Sequence, residues 1–302
     1  MAATTSTLDS EAPRPTKSAI KSVITKPYRV LCVSDSRGKG LDKHFEENFE
    51  KNHPGITIIP HFLVYSGATL EAITAKIIQF DRNTQYNLIL INAGICSFTS
   101  KASYNGLRCI DYAERSNKVS LAVDTLEDLN SRFGKRCNLC TIPPASLSKN
   151  FRFRNPGAQI PLELAPQQKA LLEDLHTINQ KIIERNQQNE SSSIDLAKQL
   201  FTSSLKRKRG GKRVVKFSDK NLADGIHAND DLKTTWFNLI TKFVKSRIDA
   251  FTVENTIESE DEESLNLNST LDSSDTELTT ACTSFSTEES EPDTGNFKRR
   301  KN

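Results

Sequence analysis

The chain has 302 residues, 41 basic and 38 acidic, a formal charge of +3 and six scattered cysteines. Its length suits one domain of about 200 to 250 residues with tails, or two small domains. No apolar run approaches the eighteen or more residues of a membrane span, and no N-terminal segment resembles a signal peptide. The expectation is a soluble, intracellular protein, cytoplasmic or nuclear, with its cysteines in a reducing compartment.

Composition divides the chain further. Thirteen of the 38 acidic residues but only four of the 41 basic ones lie beyond Phe251, so the body is basic and the tail acidic. Residues 252–296 contain no Lys or Arg and are dense in Ser, Thr, Glu and Asp. Such a segment cannot bury enough apolar surface to offset its ordering entropy and is expected to be disordered. The polar residues 1–25 suggest a second loose end. The folded domain is therefore expected over 26–251.

Within it, the apolar run at 28–33 (YRVLCV) reads as a first strand and breaks on Ser34-Asp35-Ser36. A helix pattern over 41–52 follows, then a strand over 56–64 that ends on Tyr65-Ser66-Gly67. Residues 69–80 read as a helix, and 86–92 (YNLILIN) as a strand followed by Ala93-Gly94-Ile95-Cys96-Ser97. A helix over 112–132 precedes a strand over 137–143 ending on Pro143-Pro144. A helix over 166–187, a weaker strand over 192–197 (SSIDLA) and a helix over 230–251 complete the series. Strands alternating with helices imply a parallel sheet with helices on both faces, and the nearly continuous apolar strands fit burial on both sides. Ligands of such sheets lie beyond the carboxyl ends of the strands, so the residues after each strand are the candidates for function.

Ser36 has three readings. A Ser between a strand and a helix commonly caps the helix or makes a turn. The phosphate-loop reading is weaker, because SDSRGKG lacks both the G-x-x-x-x-G-K-[ST] and the G-x-G-x-x-G order. The third reading depends on NLADGIHAND, which places Asp224 and His227 three residues apart just before the last helix. A Ser hydroxyl is a weak nucleophile at neutral pH and needs an imidazole to take its proton and a carboxylate to fix that imidazole. Asp224 and His227 supply both, provided the fold brings them to the end of the first strand.

These residues, in this order, resemble the SGNH (GDSL-like) serine hydrolase family. The resemblance rests on Asp35-Ser36 after the first strand, Gly67 after the second, the Gly94 turn after the third, Pro143-Pro144 after the fourth, and Asp224-x-x-His227 near the end. It covers roughly 26–251. It implies a flavodoxin-like three-layer α/β/α sandwich around a central, mostly parallel five-stranded sheet, and ester hydrolysis without metal or organic cofactor. It assigns Ser36 as nucleophile, His227 as general base, Asp224 as the acid that orients it, and the backbone N–H groups of Ser36 and Gly67 as two of three oxyanion donors. Two departures stand out. Ser34 takes the family's usual first Gly, and Cys96 stands where an Asn side chain would supply the third oxyanion donor. A thiol is a poor donor, and loss of one donor costs on the order of 10²–10³ in turnover. Asn92 and Asn105 are the stand-ins within reach in sequence.

The expected function is therefore a serine esterase or related acyl hydrolase acting on a small ester or acylated substrate. The alternative is a catalytically lapsed binding module on the same fold, of a mobile-element or viral-type protein, holding nucleic acid or a protein partner through its basic loop. That loop, LKRKRGGKR, carries Lys206, Arg207, Lys208 and Arg209; with the KRRK run at 298–301 it matches nuclear-import and polyanion-contact patterns. The Cys137-x-x-Cys140 pair lacks a second pair or a nearby His to complete a metal site, and on a strand the two would face opposite sides of the sheet. Ser and Thr set among the tail's acids suit acid-directed phosphorylation.

Overall fold

The computed structural model describes residues 26–49, 52–53, 56–103, 105–205 and 213–266. The expected loose end at 1–25, the basic residues Lys206, Arg207, Lys208 and Arg209, the KRRK run and the tail beyond 266 lie outside these; residues 252–266, expected to be disordered, continue the last helix. The chain divides into two compact units, Met1–Asn255 and Thr256–Asn302, and the fold and site below belong to the first.

In chain order the elements are β1 (Lys26–Ser34), α1 (Leu41–Asn48), β2 (Asn52–His53), β3 (Ile56–Val64), α2 (Leu70–Thr84), β4 (Leu88–Asn92), β5 (Thr99–Lys101) and β6 (Leu107–Cys109). There follow α3 (Tyr112–Phe133), β7 (Cys137–Leu139), α4 (Leu147–Arg154), α5 (Leu164–Gln188), β8 (Phe201–Leu205), β9 (Arg213–Phe217) and α6 (Asp230–Asn266). The central sheet has the order β2-β3-β1-β4-β7. Four of its strands are parallel, and the two-residue β2 pairs antiparallel to β3. Taken alone, the parallel strands run second, first, third, fourth, which is how a flavodoxin-like order begins.

Side chains alternate across the sheet as a strand requires. Leu31, Val33, Ile89 and Ile91 enter one core with Ile73 and Ile77 of α2, Leu126 and Leu129 of α3, and Leu171, Leu175 and Ile178 of α5. Val30, Cys32, Leu88 and Leu90 enter the other with Leu41 and Phe45 of α1 and Trp236, Ile240 and Val244 of α6. The helices thus cover both faces, as the β-α alternation implies. Cys137 and Cys140 lie in opposite cores, as expected, although β7 ends at Leu139 and Cys140 follows it in irregular backbone. Burial pushes both thiols above their ordinary pKa.

The expected fifth strand at 192–197 does not form. Residues 191–196 are irregular and touch the sheet through one backbone bond, Thr141 N–H to Ile194 C=O at 3.0 Å, before a short 3-10 turn at Ala197–Leu200. Two asparagines of α5 take the edge instead. Asn186 Nδ2 donates to Leu139 C=O at 2.9 Å while its Oδ1 accepts from Leu139 N–H at 3.5 Å. Asn179 brackets Ile142 in the same way, at 3.0 and 2.6 Å. Ser193 of the would-be strand and Ser191 just before it accept side-chain bonds from Asn186 and Asn138, and Asn138 also bonds Ser192 C=O. A primary amide carries the donor and acceptor of a peptide group, so it can satisfy an edge strand and leave no ladder to propagate. The sheet ends at β7, and a potential aggregation edge is covered.

Leu139 and Asn186 are both fully enclosed, so Asn186→Ala would orphan a buried N–H and a buried C=O. At about 1–3 kcal/mol for each such group, the variant should lose at least about 2 kcal/mol in urea unfolding. Substitution of the exposed neighbour Gln187 by Ala should stay within about 0.5 kcal/mol.

Candidate active site

The parallel register brings Ser34 beside Val64 on one flank and Asn92 on the other. The ladder continues one step past the strand: Tyr65 N–H bonds Ser34 C=O at 2.8 Å and Asp35 N–H bonds Asn92 C=O at 3.3 Å. Ser36 opens a one-turn 3-10 helix (Ser36–Gly38) capped by the Asp35 carboxylate, which accepts from Arg37 N–H. The turn is tight. A Cβ at residue 38 would fall 1.9 Å from Ser34 Oγ, so Gly38 makes the room that the larger Ser34 requires. The Ser34 hydroxyl donates to Asp35 C=O at 3.0 Å, inside the turn.

From the far end of the domain, residues 221–229 form a small hairpin. Asn229 N–H bonds Asn221 C=O at 2.8 Å and Ala223 N–H bonds His227 C=O at 2.6 Å. At its tip Asp224 Oδ1 accepts from the N–H groups of Ile226 and His227, at 2.9 and 2.8 Å. Asp224 Oδ2 lies 2.8 Å from His227 Nδ1, and His227 Nε2 lies 2.9 Å from Ser36 Oγ. An ionised carboxylate only accepts, so Nδ1 carries the proton and Nε2 is left to accept from the Ser36 hydroxyl. Residues 191 positions apart in sequence are thereby joined in one Asp-His-Ser relay. The imidazole is 41% exposed and Asp224 only 13%, so a ligand can reach the His side while the carboxylate stays shielded.

The hairpin is pinned to the start of α4, which the sequence reading did not anticipate. Ser146 N–H donates to Gly225 C=O at 2.7 Å, and the buried Asn150 Nδ2 donates to Asp224 C=O at 3.1 Å. Gly225 has a φ of +87°, and a Cβ there would meet Asn150 N at 2.5 Å and Ser146 O at 2.6 Å. Only glycine satisfies both the left-handed backbone and that approach.

The N–H groups of Ser36 and Gly67 donate to no described group. They stand two and three residues beyond the registered pair Ser34–Val64. Gly67, with φ +79° and open space around its Cα, is fixed by conformation rather than crowding. The third motif is built differently. Ser97 Oγ accepts from Leu70 N–H at 2.9 Å and so braces the loop that carries Gly67. Cys96 is partly buried, and burial, with the Asp35 charge adding to it, pushes its thiol above the ordinary range against the opposing pull of Arg37. It is a neutral thiol, not a poised thiolate. Asn92 continues the Leu88-Leu90 side of β4, and its Nδ2 is sealed from solvent with no acceptor; in this state it is closed to a ligand. Asn105 is exposed, in left-handed backbone at the tip of the β5–β6 hairpin.

Cavity size does not locate this site. A cleft of about 830 Å³ lies at the opposite end of the sheet beside Tyr28, Arg82, Arg136 and Phe251. The hydrogen-bond relay does locate it. Arg37 was absent from the sequence candidates, because a charged residue after a Ser gives no sign that it will be buried.

Burial opposes ionisation of Asp224, but hydrogen bonds from the His227 N–H, the His227 ring and the Ile226 N–H outweigh it and hold the carboxyl below its ordinary pKa. The stabilisation is complete above the unfolded-state value of about 3.9 and disappears as pH falls through the lower folded-state value. Denaturant unfolding of wild type and Asp224→Asn should therefore differ most at pH 6–7, and the gap should shrink as pH falls below about 3.9. A gap independent of pH would contradict the assignment.

No protein-family model matches the chain. No curated protein matches its sequence either. Similar solved structures include a lipase/acylhydrolase from Enterococcus faecalis, at 15% identity and a TM-score of 0.47 over 73% of this chain and 96% of that one. A GDSL-like lipase from Bacteroides thetaiotaomicron shares 14% identity at 0.44, covering 74% and 88%. The acetylxylan esterase Axe2 from Geobacillus stearothermophilus shares 13% at 0.46, covering 75% and 96%. Similar solved structures thus include GDSL-like lipases, acylhydrolases and acetyl xylan esterases, all at low sequence identity.

Proposed function

We propose that the chain is a serine acyl hydrolase acting on ester bonds, with Ser36 as nucleophile, His227 as general base and Asp224 as the group that orients and stabilises the imidazole. One observation carries this reading: the continuous relay from Asp224 Oδ2 through the His227 ring to Ser36 Oγ, at 2.8 and 2.9 Å. A turn or cap role for Ser36 needs no imidazole at its hydroxyl, and the cap of its 3-10 turn is Asp35.

In the reaction Ser36 Oγ attacks the acyl carbon as its proton passes to His227 Nε2. Charge developing on the carbonyl oxygen is met by the N–H groups of Ser36 and Gly67, whose hydrogen-bonding capacity the fold leaves unused. The imidazolium, held against Asp224, returns the proton to the departing alcohol. Water then gives a proton to the same nitrogen, attacks the acyl-enzyme and releases the acid, and Ser36 regains its hydrogen.

With a neutral Cys96 in place of a third donor, turnover is set on the order of 10²–10³ below that of a site with a full complement. A second reading, a non-catalytic module, draws support from the sealed Asn92 amide and the Cys96 thiol; its proposed contact residues Lys206, Arg207, Lys208 and Arg209 lie outside the described residues.

Fluorophosphonate labelling of the purified chain should be complete for wild type and lost in Ser36→Ala and His227→Ala. Hydrolysis of a nitrophenyl acetate should fall at least about 10³-fold in both. Unlabelled but folded wild type would turn the assignment to the module. Cys96→Asn should raise kcat by at least about tenfold with little change in KM, because the restored donor acts on the transition state.

A further inference from the structure

The side chain of Arg37 is 2% exposed, next in sequence to the nucleophile, and every polar atom of its guanidinium is placed. Nε reaches Asp35 Oδ1 and Oδ2 at 3.0 and 3.2 Å, Nη2 reaches Asp35 Oδ2 at 2.7 Å, and Nη1 donates to Pro143 C=O at 2.8 Å. Its backbone N–H also donates to Asp35 Oδ1, at 3.0 Å. Asp35, 1% exposed, is thus neutralised by the residue two positions on, with Ser36 between them.

The Pro143 contact gives the pair a reach beyond its own turn. Pro143 lies three residues before Ser146, whose N–H holds Gly225 and so the hairpin of Asp224 and His227. Arg37 therefore ties the loop that carries the nucleophile to the loop that anchors the base. A buried ion pair is a costly way to stabilise a turn, since apolar residues of the same volume commonly do as well or better. Its use here calls for a role that apolar packing cannot fill. Charge supplies one. The Asp35 carboxylate caps the turn that Ser36 opens, one residue before the Ser36 N–H proposed as an oxyanion donor; at Cys96, where burial is the main cause raising the thiol pKa, the Asp35 charge raises it further and Arg37 opposes it.

We propose that Arg37 is a positioning residue for the acyl transfer: it locks the Ser36 turn to Pro143 and cancels the field of Asp35 at the site where the oxyanion forms. This rests on the hydrolase reading of Ser36, His227 and Asp224. The clamp requires the forked guanidinium, and the field requires only a positive charge, so the two roles separate by substitution.

The test uses the full chain with Arg37→Met, Arg37→Lys and the double variant Asp35→Asn/Arg37→Met, comparing fluorophosphonate labelling rate, kcat and KM on nitrophenyl acetate, and melting temperature. Arg37→Met should lower kcat and the labelling rate at least about 100-fold with KM within about twofold, and should lower the melting temperature. Arg37→Lys should keep most of the field and lose about tenfold in kcat. The double variant should regain part of the melting temperature lost in Arg37→Met yet remain at least about tenfold slow, since the unpaired charge is gone but the buried Pro143 C=O still lacks its donor. A double variant with full wild-type kcat, or Arg37→Met labelled at the wild-type rate, overturns the proposal while leaving the hydrolase reading standing. Wild type that is folded but unlabelled removes both.

Discussion

Gly225 lies against the first turn of α4 with its backbone where a side chain would otherwise sit, and the site depends on that contact. A methyl group there would strike two backbone atoms. The hairpin that presents Asp224 and His227 is short, exposed on one side and far in sequence from β1. Without an anchor its imidazole would sample many positions, and a relay hydrogen bond is intolerant of ångström-scale drift. The anchor is made of backbone and enclosed amides: Ser146 N–H on Gly225 C=O, and Asn150 Nδ2 on Asp224 C=O. Asn150 Oδ1 in turn accepts from Leu107 N–H, so β6 is joined to the same support.

The sheet supplies the other half of the geometry. Parallel strands end in register, and loops leaving adjacent strands emerge side by side. The rung from Asp35 N–H to Asn92 C=O carries that order one residue past the strand, so Ser36 starts from a rigid edge rather than a free loop. The two cores on the sheet's faces keep that edge still, because close-packed interiors transmit strain rather than absorb it. The placement of Ser36 is thus a property of the sheet, and that of His227 a property of α4.

Sequence alone made the strand ends legible, because apolar runs buried on both faces break sharply at Ser34, Tyr65 and Ala93. The three relay residues were legible too, but only through their order along the chain, since each is ambiguous locally. The edge at 192–197 was misread. Its alternation suits a strand, and nothing in the apolar pattern of α5 reveals that Asn179 and Asn186 serve β7 in its place. The α4 anchor was equally hidden: LSKNFRFR is short and basic, and what matters is the Ser146 backbone just before it and the Asn150 amide within it. Burial of Arg37 was invisible for a different reason, because the partner that makes it tolerable, Asp35, is the residue that reads as part of the nucleophile motif.

The proposed hydrolysis requires Ser36, His227 and the unused backbone N–H groups of Ser36 and Gly67 to surround one reacting atom. A crystal structure of the chain after reaction with a small fluorophosphonate would test this most directly. Phosphorus should be bonded to Ser36 Oγ, with the phosphoryl oxygen about 2.7–3.1 Å from the N–H groups of Ser36 and Gly67 and the His227 ring still on Asp224. An adduct on another residue, or one on Ser36 whose phosphoryl oxygen turns to solvent away from both N–H groups, would contradict it.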